Sequence, residues 1–278
     1  MIDTYKNRKI IVAVAPVGKD IDPPSINPLT PEAVAREVID CTQAGAGFVH
    51  LHVRDDKGEQ TEDLSHFSRT LDLIRDSSDI IIQGSTGGLS ELSLEARCVA
   101  LNDPRVEVAS LNMGSVNFSE DVYINRLPDI RYWARRMAET NVIPELEIFE
   151  AGMLTAVARL VEEKVLNPPF TYGFPLGFHY ALPANPHSLL FLTSSLPVPA
   201  PWGVVHESMI DFSVLAAAIA MGAAAIRVGF EDSVNYAPGK VVANNAELVE
   251  KIVSLIHQIG YEVATPAEAR DLLGLKQL

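Results

Sequence analysis

Phe48-Val49-His50-Leu51-His52-Val53-Arg54-Asp55 begins as an apolar, β-branched run and ends on side chains able to do chemistry. Successive residues of a strand face opposite ways, so His50, His52 and Arg54 share one face while Leu51 and Val53 share the other. The same form, a short apolar run leading through small or polar residues into an amphipathic segment, recurs along the chain. It predicts strands at residues 10–15, 48–52, 80–84, 108–111, 143–148, 170–174, 202–205 and 225–228. Such βα alternation implies a parallel sheet. A doubly wound open sheet alternates in the same way, but about eight repeats favour a closed (β/α)₈ TIM barrel, and 278 residues suit one barrel spanning 1–278 as a single domain.

Helix signals fit that frame. Thr30-Pro31-Glu32 supplies a cap, a pre-set proline and an acidic first turn, and Thr265-Pro266-Ala267-Glu268 repeats the device with a capping box. The second motif predicts an additional C-terminal helix over 266–273, beyond the eighth unit. Five prolines at 183, 186, 197, 199 and 201 predict a short helix with long loops between strands six and seven.

A net charge of −14 would repel a phosphate backbone, and the basic residues form no stripe, so nucleic acid is not the expected partner. Cys41 and Cys98 give no disulfide framework, and Met1 to Lys9 lacks the apolar run of a signal peptide. The uncharged run Phe212 to Ile226 contains Asp only before it and Arg only after it, and is too short to span a bilayer. A cytoplasmic protein without a membrane segment is expected.

In a barrel the chemistry sits at the carboxyl ends of the strands. His50 and His52 there form half of a metal site. Strand eight ends in Arg227-Val228-Gly229-Phe230-Glu231-Asp232. Closure would bring it within two strand spacings of strand two, roughly 10 Å, so Glu231 can join the histidines on one ion. Two histidines, a carboxylate and an open position suit catalytic zinc, although ferrous iron takes the same set. Asp232 beside the ion is a candidate general base, with Arg227 holding its charge. Glu147, on the face of strand five shared with Glu145, is expected to pair with Arg227. Strands three and four end in small polar residues, where Ser85, Gly87, Gly88, Ser110 and Asn112 are candidate substrate contacts.

His50 to Asp55, Ser85 to Gly88, Ala109 to Gly114, Pro144 to Met153 and Arg227 to Asp232, in this order, resemble the β-keto acid cleavage enzymes, the family typified by 3-keto-5-aminohexanoate cleavage enzymes. The resemblance runs from Ile10 to Leu273. It implies zinc on His50, His52 and Glu231, Asp232 as base, Arg227 and Glu147 in a charge network around it, and a homo-oligomer, expected to be a tetramer. It also implies an acyl exchange between a β-keto acid and acetyl-CoA that yields acetoacetate and a new acyl-CoA. A metal-dependent aldolase or hydrolase without CoA, and a non-catalytic metal-binding barrel, are the other readings. The sequence does not name the β-keto acid. Gly177-Phe178-His179-Tyr180-Ala181 and Val205-His206-Glu207-Ser208 depart from the family pattern on the active face, and Lys19 and Asp20 sit where selectivity is set.

Overall fold

The computed structural model describes residues 8–19, 21, 23–88 and 92–278; Asp20 lies outside them. Eight parallel strands close into a barrel: β1 (Lys9–Val14), β2 (Phe48–Leu51), β3 (Ile81–Gly84), β4 (Val108–Asn112), β5 (Ile143–Glu147), β6 (Thr171–Leu176), β7 (Trp202–His206) and β8 (Ala225–Val228). Closure is made by β8 on β1, with Ala13 opposite Arg227 and Val14 opposite Val228. The surrounding helices are α1 (Pro31–Gln43), α2 (Ser65–Arg75), α3 (Leu94–Arg97), α4 (Leu127–Thr140), α5 (Met153–Glu162), α6 (Pro186–Ser194), α7 (Ser213–Met221), α8 (Asn245–Ile259) and α9 (Pro266–Leu273).

The two faces of each strand make two cores. Outward residues such as Val12, Val49, Ile82 and Leu146 pack under the helices, while inward Ile11, Ala13, Phe48, Ile81 and Val108 fill the lower barrel. The same alternation that sends Phe48 inward sends His50 inward one step higher. Below, Glu262–Val263 pairs with the start of β1, and α9 closes the barrel floor with Ala269 and Leu273. The expected capping box starts α9: Thr265 Oγ1 accepts from the Glu268 N–H at 3.3 Å, and Glu268 Oε2 accepts from the Thr265 N–H at 3.0 Å. The helix after β6 is short, nine residues, as the prolines require. α3 is a single turn, ended at Cys98, and a 3-10 turn, Val99–Asn102, follows. Among the described residues, no helix is long and apolar enough to cross a membrane.

Charge as well as packing holds the floor. Arg270 is 1% exposed and donates to Glu107 from Nε at 2.6 Å and from Nη2 at 2.9 Å, and Arg75 Nη2 reaches the same carboxylate at 3.1 Å. Removing the shared anion strands a buried guanidinium, which costs roughly 3–5 kcal/mol. Glu107→Ala is therefore expected to lower unfolding free energy by that amount in denaturant titration, and a loss below about 1 kcal/mol would show that α9 docks by apolar contact alone.

Candidate metal and substrate site

β8 is followed by Gly229, whose φ is +137° and whose added Cβ would lie 2.3 Å from the Ala15 carbonyl oxygen. Only glycine fits this approach to the end of β1. The Ala15 oxygen then accepts from the Glu231 N–H at 3.1 Å, which turns Glu231 back over the barrel mouth. His50 Nε2 lies 3.6 Å and His52 Nε2 3.4 Å from Glu231 Oε1, and the three donor atoms fall within 4.8 Å of one another.

This donor set fits a divalent ion. Two ligand atoms about 2.0–2.1 Å from zinc at a tetrahedral angle lie roughly 3.4 Å apart, close to both His–Glu separations. Burial pushes the His50 imidazole down to about 3 and also lowers His52, so both rings are neutral with a lone pair to give. Behind His50, Gln83 Oε1 is 2.6 Å from Nδ1, while Gln83 Nε2 donates to Glu145. With its amide nitrogen committed to a carboxylate, Gln83 presents oxygen to His50, holding the proton on Nδ1 and leaving Nε2 for a ligand. Gln60 Nε2 donates to the Gly87 carbonyl at 2.8 Å and to His52 Nδ1 at 3.0 Å, which leaves the proton of that ring on Nε2, facing Glu231 Oε1 at 3.4 Å; an ion on His52 Nε2 would take that proton's place, with Nδ1 protonated and the Gln60 amide turned away.

Arg227 grips Asp232 in a fork: Nε donates to Oδ2 at 2.9 Å and Nη2 to Oδ1, while Nη2 also lies 3.4 Å from Glu231 Oε1. Burial alone would lower the guanidinium, but Asp232 and Glu231 overcome it and hold Arg227 firmly charged. Asp232 is 3% exposed, and burial raises its carboxyl against the pull of Arg227.

The expected Glu147–Arg227 ion pair does not form. Arg227 is satisfied by carboxylates four and five residues along its own loop, whereas Glu147 stands three strands away around the barrel. Loss of water, reinforced by Glu145, pushes the Glu147 carboxyl up to about 8.

Ser85, Gly87, Gly88, Glu147, Arg227 and the three candidate ligands line a cavity at the mouth of the barrel. Ser110 and Asn112 take a different place from the one expected. Ser110 is 1% exposed, its hydroxyl accepts from the Thr86 N–H at 3.2 Å, and its carbonyl accepts from Thr86 Oγ1 at 2.6 Å. Asn112 is 2% exposed and its Oδ1 accepts from the Gly114 N–H at 3.2 Å. Both brace the loops that carry other contacts.

The sequence reading missed the rest of the wall. Phe118 and Tyr123 come from a hairpin, Val116–Phe118 with Asp121–Tyr123, inserted after β4, and Phe149 and Phe178 follow β5 and β6. The alternation over 116–123 around a Ser-Glu-Asp turn was the available signal for the hairpin. Of the divergent segments, Phe178 and Val205 line the cavity, whereas His179 and Tyr180 are exposed and Lys19 is on the surface.

A family model described as beta-keto acid cleavage enzyme matches residues 9–275. A 3-keto-5-aminohexanoate cleavage enzyme of Fusobacterium nucleatum is 35% identical over 274 residues, covering 97% of this chain and 99% of the relative. A 3-oxoadipate:acetyl-CoA acetyltransferase of Cupriavidus necator is 33% identical over 261 residues, covering 91% and 90%. Among solved structures, ObcA, in a ternary complex with a C4-CoA adduct and oxalate, superposes with a TM-score of 0.77 at 21% identity, covering 90% of this chain and 68% of that one. The last likeness concerns the fold.

Proposed function

The chain belongs to the beta-keto acid cleavage enzyme family, and we propose that it exchanges acyl groups between a β-keto acid and acetyl-CoA with zinc on His50, His52 and Glu231. The observation that carries this reading is the convergence of that neutral donor set with Arg227 at one cavity, where Arg227 holds the buried Asp232 carboxylate directly behind it. The names of the relatives, which pair a β-keto acid with cleavage or with acetyl-CoA, support the reaction class.

A divalent ion bound there supplies Lewis-acid stabilisation of negative charge on the β-keto acid's oxygens. Asp232 removes a proton from C2 of the β-keto acid, its basicity raised by burial. Arg227 keeps that carboxylate oriented and then faces the charge that develops on the substrate. Ser85, with the small Gly87 and Gly88 beside it, donates to a substrate oxygen. The C2 carbanion bonds to the acetyl carbonyl carbon and expels the CoA thiolate. That thiolate attacks the original C3 ketone, the C2–C3 bond breaks, and C2 regains its proton. The products are acetoacetate and the new acyl-CoA, with no oxidant or reductant required. We further read the protein as a homo-oligomer, a tetramer on the family pattern; exposed Leu190 and Phe191 on α6 support an association face.

Zinc-replete protein incubated with acetyl-CoA and a panel of β-keto acids is expected to form acetoacetate and a new CoA ester in equal amounts, followed by mass spectrometry. Absence of CoA esters across the panel would overturn the reading, and cleavage that continues without acetyl-CoA would replace it with an aldolase or hydrolase.

A further inference from the structure

The cavity is polar at one end and apolar at the other. Apart from Tyr123, its ionisable members among the described residues, His50, His52, Glu147, Arg227 and Glu231, all come from strands β2, β5 and β8 or the loops directly continuing β2 and β8. Phe118, Tyr123, Phe149 and Phe178 stand beyond them on the loops after β4, β5 and β6, and Pro175 and Val205 complete that side. A β-keto acid has its carboxylate and ketone two carbons apart, so both stay with the polar end while the C3 substituent must lie against the aromatic side.

The four rings touch each other rather than surround a space. Phe118 lies 4.9 Å from Phe178, 6.0 Å from Tyr123 and 6.3 Å from Phe149, and Phe149 lies 5.1 Å from Phe178 and 6.3 Å from Tyr123, with interplanar angles of 43–86°. Edges cover faces in such a cluster. A cage for an ammonium group needs open ring faces turned to the guest. Among the described residues that line the cavity, none on the aromatic side is a cation or a carboxylate, and Arg97, 5.4 Å from the centroid of the Tyr123 ring, is committed to Thr86 O, Ile124 O and Asn125 Oδ1, so a charged substituent would lose water without compensation.

Resting on the acyl-exchange reading above, we propose that this chain selects β-keto acids whose C3 substituent is an uncharged hydrocarbon, alkyl or aryl, seated on Phe118, Tyr123, Phe149 and Phe178. The acyl-CoA it releases is then a simple fatty or arylalkanoyl thioester. The aromatic wall acts as the specificity element, separate from the groups that handle the reacting carbons.

Steady-state kinetics with saturating acetyl-CoA test this on 3-oxopentanoate through 3-oxooctanoate and 5-phenyl-3-oxopentanoate, against 3-keto-5-aminohexanoate and 3-oxoadipate. Transfer of a methylene to an apolar surface predicts kcat/KM rising about fourfold per added carbon until the wall is covered. The charged acids are expected to fall at least about a hundredfold below the best hydrocarbon. Phe178→Ala is expected to flatten the chain-length slope, and Phe178→Arg to shift preference toward 3-oxoadipate. Highest kcat/KM with a charged acid overturns this proposal while leaving acyl exchange standing, whereas no CoA ester from any acid removes both. A slope that survives Phe178→Ala while KM for acetyl-CoA rises also overturns it, because the rings would then serve the thioester.

Discussion

His50→Ala is expected to empty the metal site and cut turnover about a thousandfold, since Lewis-acid stabilisation is worth several kcal/mol and each 1.36 kcal/mol is tenfold in rate. His50 is the most buried of the three donors, at 3% exposed, with its free lone pair aimed at Glu231. Two donors remaining at the more open edge, His52 and Glu231, make a poor zinc site. Elemental analysis after dialysis against limiting zinc should give about one ion per chain for the unmodified protein and near none for the variant. Gln83→Leu supplies a graded companion: it keeps every ligand but frees the His50 ring, so a 10–100-fold weaker zinc affinity is expected. Full zinc occupancy and full activity in His50→Ala would remove the metal from the mechanism.

Asp232→Asn is expected to lower kcat by about 10²–10⁴ while zinc stays bound, the usual worth of a positioned general base. The amide keeps the shape of the carboxylate but sets an N–H against the Arg227 fork, so thermal unfolding of the variant separates lost chemistry from lost fold. The loss should fall on kcat, with KM for the β-keto acid changed little. Activity within threefold of the parent would move the base elsewhere. Glu147 would be the next carboxyl to test, because it lines the cavity and burial pushes it up to about 8.

The parts of the site legible in advance are those where chemistry is written in contiguous residues. His50 and His52 share a face because a strand alternates, and Glu231 and Asp232 stand at the barrel mouth because they follow β8 directly. The Arg227–Asp232 pair is equally local, five residues apart. The bracing of those groups was hidden. Gln83 meets His50 only because β2 and β3 pair with these residues opposite each other, and Gln60 reaches His52 only through the turn after β2. Glu147 misled for the same reason: alternation sends it inward, but only the order of strands decides which inward charge it meets.

From its sequence by itself this protein determines eight βα units, the extra capped helix, and the histidines and carboxylates at the strand ends, because periodicity and helix capping act over a few neighbouring residues. Tertiary structure alone decided that β8 closes on β1, that Ser110 and Asn112 brace loops instead of lining the cavity, and that four aromatics from three separate loops form one wall. Register, closure and loop packing join residues far apart in the chain, and their energy lies in contacts that exist only once the barrel is assembled.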